Sequence, residues 1–319
     1  MTAVPKIGHA AIDFLMREEY LGNFTSEYTR LNYSIDLATF HTFYHDVLGR
    51  KIEWDKVERI DIVKYRNWLA ESGGRDGAAA APKTLARKLA SLSSYFHFLV
   101  ERNVMLYNPV TSVKRPRRDV VTPTNALNKE QVTSLFATII NSTSEARFMH
   151  LALLTTFFTT GLRKSEVLNL RYRDYRDINE LKVLEFKGKG GKIGQKVVHP
   201  QCVKAIDDYL DWMKKNERGH ENQDWLFQPT KNPSQKILNK PLNPRTINEI
   251  LEYYAKKMQL NFRICPHSAR ASFITELLDA GVDIYAVARE VNHSSVVTTQ
   301  EYDKRRKKLQ DSPVLKLRY

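Results

Sequence analysis

Residues 265–273 read CPHSARASF, and residues 290–304 read EVNHSSVVTTQEYDK. In the first stretch His267 and Arg270 stand three positions apart. That spacing predicts a helix over 266–278 with the imidazole and the guanidinium on one face. In the second, His293 is followed nine positions later by Tyr302. A phosphodiester is a diffuse anion, and displacement at phosphorus piles further charge onto its two non-bridging oxygens. A planar guanidinium with paired donors matches those oxygens, and an imidazole donates to them or handles a proton. A phenol has an ordinary pKa near ~10, so Tyr302 needs a strongly positive site to attack as phenolate. A His/Arg pair on a helix also describes an ordinary solvated face, so the reading depends on segments upstream.

Those segments are TGLRKSE (160–166) and FKGKGGK (186–192). Taken with PHSAR (266–270), NHSS (292–295) and TTQEY (298–302), they give a chain that resembles the tyrosine site-specific recombinase family of the phage integrase, Xer and Cre type. The resemblance covers roughly residues 25 to 305 and is most specific from 160 onward. It implies a catalytic set of Arg163, Lys189, His267, Arg270, His293 and Tyr302, in that chain order. Lys187 and Lys192 are close rivals of Lys189 on the same turn. Two departures stand out. Ala269 and Ala271 occupy positions where the family usually has Leu and a second His, and Asn292 stands where it usually has Gly before the late His. Asn is the non-Gly residue best able to adopt a left-handed helix cap, so the turn survives.

The resemblance also implies the roles. Tyr302 attacks the scissile phosphate, leaving a 3′-phosphotyrosine and a free 5′-hydroxyl. Arg163 and Arg270 clamp the non-bridging oxygens, and Lys189 protonates the departing 5′-oxygen. His267 accepts the phenolic proton and His293 hydrogen-bonds a phosphate oxygen. Glu166, one turn beyond Arg163, is placed to pin it by a salt bridge. No metal and no cofactor is expected, because these cations supply the positive charge that Mg²⁺ supplies elsewhere. The covalent link conserves phosphodiester energy, so ATP is not required.

Composition agrees with such a partner. The 319 residues include 50 Lys+Arg against 36 Asp+Glu, a formal charge of +14. That excess favours a polyanion through counterion release, although a generic basic surface has the same composition. With 42% hydrophobic and 27% charged residues the balance is that of a globular chain of about two domains. Cys202 and Cys265 are the only cysteines, which excludes a disulfide framework and a Cys-rich zinc site. The longest apolar run, Met149 to Phe158, is about half a membrane span and contains His150. A cytoplasmic, nucleoid-associated protein is expected.

Along the chain, Ala10 to Tyr20 is weakly amphipathic. From Thr25, a Ser/Thr cap signal precedes Tyr28, Leu31, Ile35, Leu37, Phe40 and Phe43 at helical intervals. A third helix is predicted near Ile60 to Glu71, stopped by Gly73 and Gly74, and a loop then runs to Pro82. The fourth carries Leu85, Leu89, Leu92, Phe96 and Leu99 on one face, leaving Lys83, Arg87 and Lys88 for DNA on another. Lys114-Arg115-Pro116-Arg117-Arg118 reads as an exposed basic linker, with Arg115, Arg117 and Arg118 as phosphate contacts. Beyond it come a helix opened by Asn128 and a buried one from Ala146 to Phe158 ending at Gly161. Strands at 181–187 and 193–198 flank the KGKGG turn, which matches no nucleotide-binding loop. A helix over Cys202 to Lys215 precedes another opened by Pro244, from which Arg245 faces DNA. Ser294 or Ser295 caps the short helix carrying Tyr302.

The expected architecture is mainly α with a small antiparallel β-sheet. A helical core-binding domain (1–113), a basic linker (114–127) and a catalytic domain with a C-terminal exchange tail (128–319) form a two-domain clamp on DNA. The partners implied are double-stranded DNA at a specific recombination site, three further copies in a homotetramer on two duplexes, and accessory bending or directionality factors. Arg115 to Arg118 and Lys304 to Lys308 are the densest basic runs, and the second precedes apolar Pro313, Val314 and Leu315. A mobile-element integrase is favoured over a chromosome resolvase. The competing readings are a type IB topoisomerase-like nickase, which shares the chemistry but acts alone, and a non-catalytic DNA-binding regulator. The regulator has no physical need for Tyr302.

Overall fold

Ser26, Glu58 and Pro82 set the starts of three helices in the first half of the chain. The Ser26 side chain accepts from the Thr29 amide at 3.3 Å, satisfying one of the donors that a helix start leaves unpaired. Glu58 and Asp61 form a reciprocal capping box, and Pro82 occupies a first-turn position where its missing N–H costs nothing. The computed structural model describes residues 9–115, 125–219, 221–231, 237–302, 313–316 and 318. Two units are formed, Met1–Val121 and Thr122–Tyr319.

The first unit is helical: α1 (His9–Gly22), α2 (Glu27–Thr42) running into a π-helical turn (Phe43–Val47), α3 (Arg59–Glu71) and α4 (Pro82–Glu101). The α4 face expected to be apolar is buried at Leu85, Leu89, Leu92, Phe96 and Leu99. It packs on Leu37, Phe40, Ile62, Tyr65 and Leu69. Each such Leu or Phe contributes roughly 1.5–3 kcal/mol by leaving water. On α2 the helical interval misleads at one end, since Tyr28, Leu31 and Ile35 are exposed. Lys88 also differs from expectation. Asp36 is buried, and Arg87 Nη2 donates to it at 2.9 Å while Lys88 Nζ approaches Asp36 Oδ1 at 3.3 Å and donates to Thr39 Oγ1 at 2.8 Å. The Lys88 ammonium is thus turned into the unit rather than toward DNA, because an unpaired Asp36 in that interior would cost several kcal/mol. Lys83 and Arg87 remain exposed on this helix.

The second unit comprises α5 (Lys129–Ile140), α6 (Arg147–Thr160), α7 (Lys164–Leu168), β1 (Tyr175–Ile178), β2 (Leu181–Lys187), β3 (Ile193–Val197), α8 (Pro200–Lys215), α9 (Pro244–Lys257), α10 (Pro266–Asp279), α11 (Ile284–Glu290) and α12 (Val296–Gln300). The strands form one antiparallel sheet in the order β1-β2-β3. The fold class is therefore mainly α with a small antiparallel sheet, as expected. The sequence reading had no β1, whose Arg176 and Asp177 are exposed. Asn128 caps α5 in a box with Gln131. Leu153, Leu154 and Phe157 of α6 are fully buried at the centre of this unit, against Cys202, Ile206 and Tyr209 of α8 and Ala269 of α10. No helix among the described residues is long and apolar enough to cross a membrane. Arg117, Arg118 and the run Lys304 to Lys308 lie outside the described residues. Val314 and Leu315 are exposed.

Gly161 ends α6 with φ +62°, a conformation that costs a Cβ-bearing residue free energy. A Cβ there would also lie 2.5 Å from Phe273 Cδ1. Gly161→Ala is expected to destabilise the second unit by roughly 1–3 kcal/mol, read as a lowered midpoint of chemical unfolding. An unchanged midpoint would show that neither constraint acts.

Candidate active site

The αL turn at Gly161 redirects the chain so that Arg163 becomes the N-cap of α7. Glu166, 4% exposed, accepts from the Arg163 amide at 2.7 Å and from Arg163 Nη1 at 2.9 Å. One carboxylate thus caps the helix and aims the guanidinium. The second nitrogen, Nη2, donates to the Asn292 carbonyl at 3.2 Å.

α10 starts with Pro266 after Cys265, whose amide is received by Ser268 Oγ. One turn in, Arg270 is only 4% exposed. Its Nη1 donates to the Gly161 carbonyl at 2.5 Å and its Nη2 to the Val291 carbonyl. Burial pushes its pKa down to about 10, and the neighbouring Arg163 pushes the same way, while Glu166 and Tyr302 oppose. Two guanidinium groups are therefore held in a small volume, with Glu166 as the offsetting carboxylate.

α11 closes through Asn292 at φ +52°, with the His293 amide bonded to the Ala288 carbonyl at 2.9 Å. Asn in the usual Gly position thus retains the left-handed turn. Ser295, of the two candidate serines, caps α12. Thr299 is fully buried and lies 2.8 Å from His293 Nδ1 through its hydroxyl. Its carbonyl accepts from the Tyr302 amide at 3.1 Å. The Tyr302 hydroxyl stands 3.1 Å from His267 Nε2, and its ring lies along that of His293, at 6.4 Å between centroids and 21° between planes. Tyr302 also rests against an apolar cluster of Ile274, Leu278, Val287 and Val291.

The structure thus brings together five of the six expected residues: Arg163, His267, Arg270, His293 and Tyr302. Lys189 lies at the start of the turn joining β2 to β3, where Gly190 and Gly191 take φ +76° and +79°; its side chain is outside the described residues. Arg163, Lys164, Asn248, His267 and Arg270 line an open cleft of about 280 Å³. Arg115 is exposed, and Arg245 is exposed with its Nε 3.0 Å from Glu249. Thr299 was missed by sequence reading. Its one signal was a hydroxyl residue six positions after a histidine, and side-chain contact at that spacing depends on the intervening turn.

Burial pushes Tyr302 above the ordinary phenol value, with Arg270 opposing and Glu301 adding to the rise. The free protein therefore holds a protonated phenol within hydrogen-bond distance of a His267 ring nitrogen. For His293, burial first, then Arg270, Arg163 and His267, lower the pKa from 6.5 to about 4.

The sequence and the fold are similar to those of known proteins. Residues 125–308 match the phage integrase family, and residues 18–103 match the phage integrase N-terminal SAM-like domain. The tyrosine recombinase XerC of Actinobacillus succinogenes is 30% identical over 294 residues, 91% of this chain and 89% of that protein. XerC of Roseiflexus castenholzii is 29% identical over 275 residues, 85% of this chain and 81% of that one. Among solved structures, the XerH site-specific recombinase bound to a palindromic difH substrate, a post-cleavage complex, superposes with TM-score 0.70. It is 18% identical, with 97% of this chain and 85% of that one covered. A lambda integrase dimer bound to a COC′ core site gives TM-score 0.67 at 14% identity, covering 92% and 94%. At these identities the two structures show a shared fold.

The lowered pKa of His293 ties the stability of the fold to pH. Between pH 6.5 and about 4 the unfolded ring takes up a proton that the folded ring refuses. The contribution of His293 to stability is thus complete above 6.5 and is lost as pH falls toward 4. A ring titration followed by NMR is expected to give a midpoint near 4, raised in Arg270→Ala; a midpoint at the ordinary value would mean that the pocket does not desolvate the ring. With more than half of its length matched and its site assembled from those same motifs, the chain belongs to the phage integrase family of tyrosine recombinases.

Proposed function

We propose that the protein cuts and rejoins double-stranded DNA at a specific site through Tyr302. The observation that carries this reading is the Tyr302 hydroxyl at 3.1 Å from His267 Nε2, beside two guanidinium groups held in place by backbone carbonyls. A phosphate entering the cleft is held by Arg163 and Arg270 through its non-bridging oxygens. Tyr302 Oη passes its proton to His267 Nε2 and forms a bond to phosphorus as the bond to the 5′-oxygen breaks. The departing oxygen takes a proton from Lys189. The products are a 3′-phosphotyrosine and a free 5′-hydroxyl, and phosphodiester energy is retained in the new ester.

The raised pKa of the phenol fits this sequence of events. Tyr302 stays protonated in the free protein and passes its proton to His267 only as it attacks a bound phosphate, which restrains idle nucleophilic attack. Neutral His293 donates to a phosphate oxygen from Nε2 while Thr299 holds Nδ1. Preorganised donors of this type are typically worth ~3–4 kcal/mol each in the transition state. Attack on the phosphotyrosine by the 5′-hydroxyl of a partner strand then yields strand exchange through a Holliday junction.

The proposed partners are duplex DNA bearing the recombination site and three further copies, forming a tetramer on two duplexes with accessory bending or directionality factors. The duplex is reached by Lys83, Arg87, Arg115, Arg117, Arg118 and Arg245. Residues 114–127 serve as the basic linker, and the tail carrying Val314 and Leu315 is donated to a neighbouring copy. A mobile element in the cytoplasm, at the nucleoid, is the proposed setting.

Tyr302→Phe removes one hydroxyl from a side chain whose ring still packs on its apolar cluster. Duplex affinity is expected to stay within about twofold of the parent protein, while covalent adduct on a nicked suicide duplex falls by at least about 10⁴-fold. Adduct formed at more than a trace level by the variant would mean that another group attacks.

A further inference from the structure

Three cations from three separate elements grip three consecutive residues. Lys196 of β3 donates through Nζ to Glu290 Oε1 at 2.6 Å. Arg270 of α10 donates to the Val291 carbonyl and Arg163, at the start of α7, to the Asn292 carbonyl. The next residue is His293. Arg163 and Arg270 are accounted for by the proposed chemistry, whereas Lys196 is not, although its side chain is 5% exposed beside a half-exposed Glu290.

The placement is costly for an ammonium. Burial lowers the Lys196 pKa, Glu290 opposes that, and Arg270 and Glu166 are near enough to be felt. Replacing a buried ion pair by a well-packed apolar side chain is often neutral or stabilising, so packing alone gives no reason for a lysine here. What the ammonium does that a methyl group would not is fix Glu290, the last residue of α11, to the sheet. Lys196 pairs across the ladder with Leu184, and Lys187 with Ile193 just before the turn. The same two-stranded ribbon therefore carries Lys196 at one end and the Lys189 turn at the other.

We propose that Lys196 is a positioning residue, which through Glu290 locks residues 290–293 to the hairpin and so sets His293 and the two arginine-holding carbonyls in register with the Lys189 turn. It touches no reacting atom. A shift of the 290–293 segment would move the carbonyls that aim Arg163 and Arg270, and misplacement on the order of 1 Å is enough to slow a step by ~10²-fold. This inference rests on the reading of Tyr302 as the nucleophile.

The test is single-turnover adduct formation with saturating protein on a nicked suicide duplex, made with either an ordinary 5′-oxygen or a 5′-bridging sulfur at the scissile phosphate. A thiolate leaves without needing a proton, so a sulfur substrate bypasses a missing general acid. Lys196→Met is expected to slow adduct formation by about tenfold or more on both substrates, with duplex affinity within about twofold. Lys196→Arg is expected to restore the rate to within about threefold, since its guanidinium also reaches a carboxylate. Glu290→Ala should slow the step comparably, and the double variant should be no slower than either single one. Glu290 is half-exposed, so its variant, read with Lys196→Arg, carries the test should Lys196→Met fail to fold. A parent-like rate in Lys196→Met, or in Glu290→Ala, would overturn the proposal, as would additive defects in the pair. Rescue by the sulfur substrate alone would overturn it too, making Lys196 a proton donor. If the parent protein itself forms no adduct, it is the functional reading that falls.

Discussion

A guanidinium buried to 4% exposure between two backbone carbonyls is the constraint on which the second unit is arranged. Even with its pKa lowered to about 10, Arg270 keeps its charge near neutral pH, and burying that charge unpaired would cost several kcal/mol. The chain meets that demand with Gly161 and Val291, whose carbonyls lie 130 positions apart in sequence and belong to two different helix ends. Both ends close with a left-handed residue at or near the carbonyl, Gly161 at +62° and Asn292 at +52°. The turns that terminate α6 and α11 therefore also serve as the cradle of the central cation.

From this follows the electrostatic character of the site. Two guanidinium groups in one cleft repel, and the Glu166 carboxylate, paired with Arg163, offsets them. Burial first, and then the same charges, keep His293 neutral, and a neutral imidazole has one ring nitrogen to donate and one to accept. Thr299 sits on Nδ1. Tyr302, by contrast, is raised by burial more than Arg270 lowers it. In the proposed reaction an anionic phosphate adds negative charge beside the phenol, so proton removal by His267 accompanies attack rather than preceding it.

Much of this could be read from the chain before any coordinates. The TGLR turn needed a glycine and had one, the PHSAR helix had its proline at the first turn, and Asn292 took the left-handed role that its side chain permits. The four-helix pattern of the first unit and the hairpin around KGKGG were likewise legible, because amphipathic period and glycine position are local signals. What was not legible depended on non-local partners. Periodicity cannot tell which end of α2 leaves the core, so Tyr28, Leu31 and Ile35 read like Leu37 and Phe40. Lys88 reads as a surface cation until Asp36, fifty-two positions earlier, is found beneath it. β1 is too short and too polar to announce itself, and Thr299 and Lys196 acquire meaning from contacts that only the folded turn and sheet create.

The proposed reaction passes through a covalent bond between one tyrosine and one strand end, and that bond can be isolated. Protein trapped on a nicked suicide duplex would be digested with protease and nuclease, and the nucleotide-bearing peptide sequenced by mass spectrometry. One modified residue is expected, Tyr302, joined to a 3′-phosphate, with a 5′-hydroxyl on the released strand. A nucleotide on Tyr285 or any other residue, or a link through a 5′-phosphate, would contradict it.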